Sequence, residues 1–342
     1  MDLDVVFVGT AGSMPTARRA PAATLVRRGG ERLLFDCGEG TQRQLLRSDV
    51  GLVDLEEIFV THFHADHFLG LPGMLKTFAL RGREVPLTLY GPRGLGELVD
   101  SLRRIFGRLT YDYEIVELHA GDVLARDGYE LRPLAVRHGS ASLGYALVEH
   151  ARPGRFDVET AERLGVPSGP SRGLLQRGEA VSLPDGRIVE ASQVLGPTRA
   201  GRKLVLSGDT APVRSVVEAA AGADLLVHEA TFCEDEVERA RQTDHSTARD
   251  AAGVAREAGV KLLALTHISN RYSGGDVERE ARAVFAETVV PRDFDIVALP
   301  FAERGVPELV RSGARRGKIA SPSVAHSEAH SGAGDPSQGS TR

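Results

Sequence analysis

The stretch THFHADHF, residues 61–68, sets His62, His64, Asp66 and His67 within six positions, directly after the apolar run Ile58-Phe59-Val60. Only 11 of 342 residues are histidine, so composition alone does not produce this crowding. A β-branched and aromatic run that breaks into a polar cluster reads as a strand emptying into a loop. Loops at strand ends are where α/β folds carry their chemistry. His62 and His64, two residues apart, can point to one side. Asp66 and His67 follow where the chain turns and can face another. The question is whether the rest of the chain supplies what such a cluster needs.

Four more strand-like runs end in a residue able to bind metal: PLAVRHGS at His138, LVLSGDT at Asp209, LLVHEATF at His228–Glu229 and LLALTHIS at His267. Taken singly, each has an ordinary explanation. His138 can be a hydrogen-bonded structural histidine, and Asp209 a turn residue. As a set, His62, His64, Asp66, His67, His138, Asp209 and His267 number about the seven ligands that a pair of hydrolytic metal ions requires. The chain has two cysteines, Cys37 and Cys233, and no Cys-x-x-Cys. Any metal site is therefore built from His and Asp, which favours hydrolytic zinc, manganese or cobalt chemistry over a structural zinc knot.

The remaining pattern is that of a large α/β domain. DVVFVG, TLVRRGGERLLF and VPLTLYGP read as strands, the second as a hairpin. TQRQLLRSDV, LGLPGMLKTFALRG, GELVDSLRRIFG, VRSVVEAAAGA, HSTARDAAGVAREAGV and GGDVEREARAVFAE read as helices. Residues 113–149 alternate like two or three antiparallel strands, and FDIVALP is the last convincing strand. Residues 151–200 are rich in Gly, Pro and Arg with weak periodicity, and read as an inserted arm or long loop. From Ser312 the composition turns to Ser, Gly, Ala and Pro, so residues 1–311 are expected to form one domain and 312–342 a disordered tail. The net charge of −5 argues against general nucleic-acid affinity while leaving room for a local basic face. No apolar run reaches membrane-spanning length, the N-terminus lacks a signal-peptide pattern, and two cysteines suit a reducing cytoplasm.

The order H-x-H-x-D-H, then separated His, Asp and His, resembles the metallo-β-lactamase superfamily. More narrowly, FDCGEGTQRQLL, THFHADHFLGLPGML, SGDT, HEATF, HST (His245–Thr247) and LTHISNRY resemble ribonuclease Z in content, order and spacing, from about residue 2 to 305. That resemblance implies an αββα sandwich of two mixed β-sheets flanked by helices, with an inserted flexible arm at about 151–200. It implies two Zn2+ per subunit, one on His62, His64 and His138, the other on Asp66, His67 and His267, with Asp209 bridging. Asp66 would also act on the attacking water. His245, held by Glu229, would assist the leaving oxygen; on the residues alone, His245 serves equally as a helix-start residue beside Ser246 and Thr247. His228, alternating with Glu229, is expected to face away from the site. The implied substrate is precursor tRNA, cut 3′ of the discriminator by metal-activated water to leave a 3′-hydroxyl and a 5′-phosphate. The arm would clamp the tRNA through Arg152, Arg155, Arg163 and Arg172, in a homodimer whose arms serve each other's sites. Many relatives carry Pro-x-Lys-x-Arg-Asn in the first loop. Here Arg19 matches it as a substrate contact, while Ala17 and Ala20 stand at the Lys and Asn positions. Two other classes compete: a different hydrolase of the superfamily (lactamase, thioesterase or cyclic-nucleotide phosphodiesterase) and a non-enzymatic tRNA-binding scaffold. Turnover of a thioester against a phosphodiester separates the first, and metal content the second.

Overall fold

The computed structural model describes residues 1–52, 55–139 and 141–312. Two mixed sheets stack face to face. In spatial order the first runs Glu308–Val310, Ile296–Ala298, Leu3–Gly9, Ala23–Arg28, Glu31–Phe35, Glu57–Phe59, Leu87–Pro92 and Tyr113–Leu118. The second runs Thr288–Val289, Leu262–Thr266, Leu225–Glu229, Lys203–Leu206, Leu143–Glu149, Tyr129–Ala135 and Leu124–Arg126. Each sheet is parallel on one side, from Glu31 to Leu118 in the first and from Lys203 to Val289 in the second.

Strand alternation builds three cores at once. Val5 and Phe7 point between the sheets, while Val6 and Val8 pack under helices on the outer face. Such double burial makes these strands read as continuous apolar runs. Between the sheets Phe59 stacks on Phe35 and Tyr90, with centroids 4.9 and 4.6 Å apart, and Tyr145 closes on it edgewise. Helices Thr41–Arg47, Gly70–Leu80 and Leu95–Ser101 cover the first sheet; Arg214–Ala220, Ala248–Ala258 and Gly274–Arg282 cover the second. This is the αββα sandwich, and each large side chain fully buried in it contributes on the order of 1.5–3 kcal/mol. Among the described residues, no helix is long and apolar enough to cross a membrane.

Three expectations need correction. Residues 113–149 are four strands: Tyr113–Leu118 is a parallel edge of the first sheet, and the next three are antiparallel members of the second. The chain changes sheets at His119–Asp122, where Gly121 takes φ +97° and Asp122 accepts a bond from the His119 amide. FDIVALP is not the last strand, because Glu308–Val310 pairs with Ile296–Ala298.

The third concerns residues 151–200, which are no open loop. They fold into helices Val158–Arg163 and Pro170–Gln176, a small hairpin of Val181–Ser182 with Ile188–Val189, and a turn at Ala191–Gln193. Ala161, Val166, Leu175, Val181, Leu183, Val189, Ala191 and Val194 form their private core. Asp157 caps the first helix by accepting from the Thr160 amide. At the base, Gly154 lies so close to Gly196 that a Cβ would sit 1.9 Å from its carbonyl oxygen. At the other end of the chain, Arg311 and the Ser312 amide both bond Asp295, which ties Ser312 to the sandwich. The expected tail otherwise lies outside the described residues.

Candidate metal centre

Every ligand-type residue singled out in the sequence sits at the carboxyl end of a strand or in the loop after it. His62 and His64 follow Glu57–Phe59, and the one-turn helix Ala65–Phe68 turns Asp66 and His67 inward. His138 follows Tyr129–Ala135, Asp209 follows Lys203–Leu206, and His267 follows Leu262–Thr266. Both sheets contribute, so the centre straddles the mouth of the sandwich. Close backbone packing fixes these loops. A Cβ on Gly38 would lie 2.2 Å from the Asp66 carbonyl oxygen, and one on Gly12 would lie 2.6 Å from that of His267. His267 itself takes φ 56°, a left-handed conformation that costs a non-glycine residue on the order of 1–2 kcal/mol and is held by its surroundings.

Four of the other six side chains converge on Asp209. Its Oδ2 lies 3.3 Å from Nε2 of His67 and of His267, 3.8 Å from that of His62 and 3.9 Å from that of His138. On one side His64 Nδ1 is 3.0 Å from His138 Nε2. On the other, His267 Nε2 is 3.2 Å from His67 Nε2 and 3.1 Å from Asp66 Oδ2. Two ligand triads result, His62–His64–His138 and Asp66–His67–His267, each with its donor atoms mutually within 4.8 Å.

Hydrogen bonds on the outer nitrogens fix which inner atoms carry lone pairs. His67 Nδ1 donates to Asp36 Oδ2 at 2.7 Å, and His138 Nδ1 to the Asp244 carbonyl at 3.1 Å. Thr231 Oγ1 donates to Glu229, so it accepts from His267 Nδ1 at 2.8 Å. Thr61 Oγ1 likewise donates to Asp36 and accepts from His62 Nδ1 at 3.0 Å. All four Nε2 atoms then face a shared point, and in the neutral imidazole each is the nitrogen with the lone pair, the orientation that metal-binding histidines require. His62 Nε2 is buried and has no hydrogen-bond partner among the described residues.

The charges agree. Burial pushes the His62 imidazole down to about 2, which keeps it neutral, and burial also lowers His64. Burial opposes charge on His67, but Asp209 and Asp36 outweigh it and hold its affinity for positive charge well above the ordinary range. Asp209 and Asp66 are held low against burial by their histidine neighbours. The buried Asp209 and the half-buried Asp66 keep their negative charge and draw positive charge to His67, an environment that calls for cations.

Beside the triads lies a second pair. Burial disfavours charge on both His245 and Glu229, yet the 2.7 Å contact from His245 Nδ1 to Glu229 Oε1 raises the histidine to about 9 and lowers the carboxyl. His245 Nδ1 stands 3.9 Å from Asp209. It precedes helix Ala248–Ala258, whose cap is Thr247, so the helix-start role belongs to the threonine. His228 is buried, bonded through Nδ1 to the Glu229 carbonyl, and belongs to neither triad.

Sequence reasoning missed Asp36, Thr61 and Thr231, which hold the ligands from behind. Asp36 stands directly after strand Glu31–Phe35, at a strand end like the ligands themselves.

The arginines divide. Arg19 donates to Thr10 Oγ1 at 2.7 Å and to the Pro291 carbonyl at 2.9 Å, which braces the first loop. Arg152 pairs with Glu303 and stacks over Phe301, and Arg172 is occupied by the Val166 carbonyl and Glu162. Each of the three thus has a carbonyl, hydroxyl, carboxylate or ring partner, and Arg163 too donates to Thr160 Oγ1 at 2.8 Å. Arg155 and Arg163 remain exposed.

Comparison with known proteins gives a consistent set of relatives. The metallo-beta-lactamase superfamily model matches residues 17–153. The ribonuclease Z of Methanosarcina acetivorans is 45% identical over 303 residues, covering 87% of this chain and 99% of its own length. That of Gemmatimonas aurantiaca is 48% identical over 308 residues, covering 89% and 98%. Among solved structures, the short form of human tRNase Z superposes with a TM-score of 0.64 at 27% identity, over 87% of this chain and 100% of that one.

Proposed function

Because this chain belongs to the ribonuclease Z family, we propose that the strand-end cluster is the two-metal catalytic centre of its reaction. The protein is a metal-dependent endoribonuclease of tRNA 3′ processing, on a metallo-β-lactamase fold. The observation that carries the assignment of the centre is the position of Asp209, one carboxylate oxygen 3.3–3.9 Å from four inward-facing imidazole nitrogens.

His62, His64 and His138 would hold one ion; Asp66, His67 and His267 the other; Asp209 lies between. The nitrogen-rich set suits zinc, with manganese or cobalt as substitutes. Such a pair, when bound, acidifies water and neutralises charge on a phosphodiester. The chain's own groups do the rest. Asp66, held by the Ser13 amide at 2.8 Å, orients the attacking water as an acceptor. His245, kept protonated by Glu229, gives its proton to the departing ribose 3′-oxygen. The cut falls 3′ of the discriminator of precursor tRNA and leaves a 3′-hydroxyl and a 5′-phosphate. Arg155 and Arg163 take tRNA phosphates on the inserted lobe. Two buried free cysteines, Cys37 and Cys233, suit a reducing cytoplasm. The reading extends to a homodimer in which each lobe serves the partner's centre, and sedimentation of the purified chain checks that pairing.

Asp66→Ala separates catalysis from recognition. The expected outcome is loss of precursor cleavage with precursor tRNA affinity, read by gel shift, kept near the wild-type value. Parallel loss of affinity contradicts the assigned role.

A further inference from the structure

Beside the metal centre lies a second cavity, about 440 Å³, between the first loop (Pro15–Pro21), the start of helix Thr41–Arg47 and the turn at Asp293–Phe294. Its volume falls in the range of small-ligand sites. Two walls continue directly from the centre. Ser13, whose amide bonds Asp66, is two residues from Pro15, within about 7 Å along the chain. Gly38, packed against the Asp66 backbone, is followed by Glu39 and Gly40 in the cavity wall.

The lining is basic. Arg18, Arg43 and Arg47 are exposed, and among the described residues none has a carboxylate within ion-pairing distance. Glu39 and Asp293, the latter bonded by Thr10, the Ala20 amide and Gln44, stand against four arginines of the lining, Arg18, Arg19, Arg43 and Arg47, so positive charge is in excess. An independent feature marks the same cavity. Phe294 takes φ 70°, rare for a bulky residue, and is only partly buried. The Arg47 guanidinium lies 5.6 Å from its ring centroid. Strain of that kind persists where the fold holds a side chain in place for use. Guanidinium groups around one presented aromatic face are the elements that bind single-stranded nucleic acid: phosphates on the arginines, a base on the ring.

We propose that this cavity binds an unpaired nucleotide of the 3′ trailer, beyond the first nucleotide after the scissile phosphate. The inference rests on the tRNA 3′-processing reading and names a part of the substrate within it. In a precursor tRNA the acceptor stem is paired, whereas the trailer runs on as a single strand past the cut. A duplex cannot lay a base on Phe294; an unpaired trailer can.

The test uses the metal-loaded enzyme and two precursors with the same tRNA body, one with a single-nucleotide trailer and one with a long trailer. The reading is the ratio of kcat/KM on the long to that on the short. In Arg43→Ala/Arg47→Ala this ratio falls about tenfold or more, and the log–log salt dependence on the long precursor becomes shallower by about 1.4, as for two lost single-strand phosphate contacts. Phe294→Asn, which tolerates left-handed backbone, lowers the ratio about tenfold through lost stacking. A ratio that stays at the wild-type value in both variants, with equal losses on the two precursors, assigns the cavity to the tRNA body and overturns the proposal. Wild-type enzyme that hydrolyses a small phosphodiester but neither precursor overturns the processing reading itself, before any variant is compared.

Discussion

The metal centre and the inserted lobe treat charge in opposite ways. At the centre, His62, His67, His138, Asp209 and His267 are buried, and the outer nitrogens of the four histidines are tied by Asp36, Thr61, Thr231 or the Asp244 carbonyl. Nothing there needs to move for the lone pairs to converge. In the lobe, charges sit at the surface and pair locally: Arg177 with Glu179 and Arg187 with Asp185. Exposed pairs of this kind are worth roughly 0–1 kcal/mol and break readily. Between the two regions the structure separates rigid preorganisation for chemistry from loosely held charge suited to tracking a phosphate backbone.

Substitutions at the two regions sharpen that contrast, with expected effects that descend from the centre outward. Asp209→Ala removes the carboxylate that lies against histidines of both triads. Metal content measured by mass spectrometry falls, and kcat/KM on a small phosphodiester drops at least about 10³-fold, several kcal/mol of lost charge stabilisation. Near-normal metal content in this variant breaks the claim that both triads share one carboxylate. Asp36→Ala touches no metal ligand position but frees His67 and Thr61. Metal affinity, titrated with a competing chelator, weakens about 10–100-fold, as for other residues that orient ligands from behind. Arg155→Ala/Arg163→Ala acts only on the lobe. KM for precursor tRNA rises several-fold with a shallower salt dependence, by about 1.8 in log–log slope if both contact duplex phosphate. An equal loss on a small phosphodiester erases the distinction between the regions.

The centre was legible in the sequence because each ligand group follows a strong strand signal and histidine is scarce, so local pattern carried the information. The residues that orient the ligands were not legible. Asp36 is 31 positions from His67, and Thr231 is 36 from His267, so only the pairing of neighbouring strands within each sheet brings them together. The lobe was misread for a different reason. Its eight core residues are scattered from Ala161 to Val194 over very short elements, too few per element to show a period. Gly121 let the chain change sheets within an alternating pattern that looked continuous. The arginines Arg19, Arg152 and Arg172 illustrate a limit of charge reading: a guanidinium in a sequence does not reveal the carbonyl, carboxylate or ring that engages it.

The most direct test of the account is incubation of the purified protein with one end-labelled precursor tRNA, with and without chelator, and mapping of the cut to the nucleotide. The expected result is a single chelator-sensitive cut immediately 3′ of the discriminator, leaving a 3′-hydroxyl. A cut that persists in chelator, or no cut while a small phosphodiester is still hydrolysed, contradicts it.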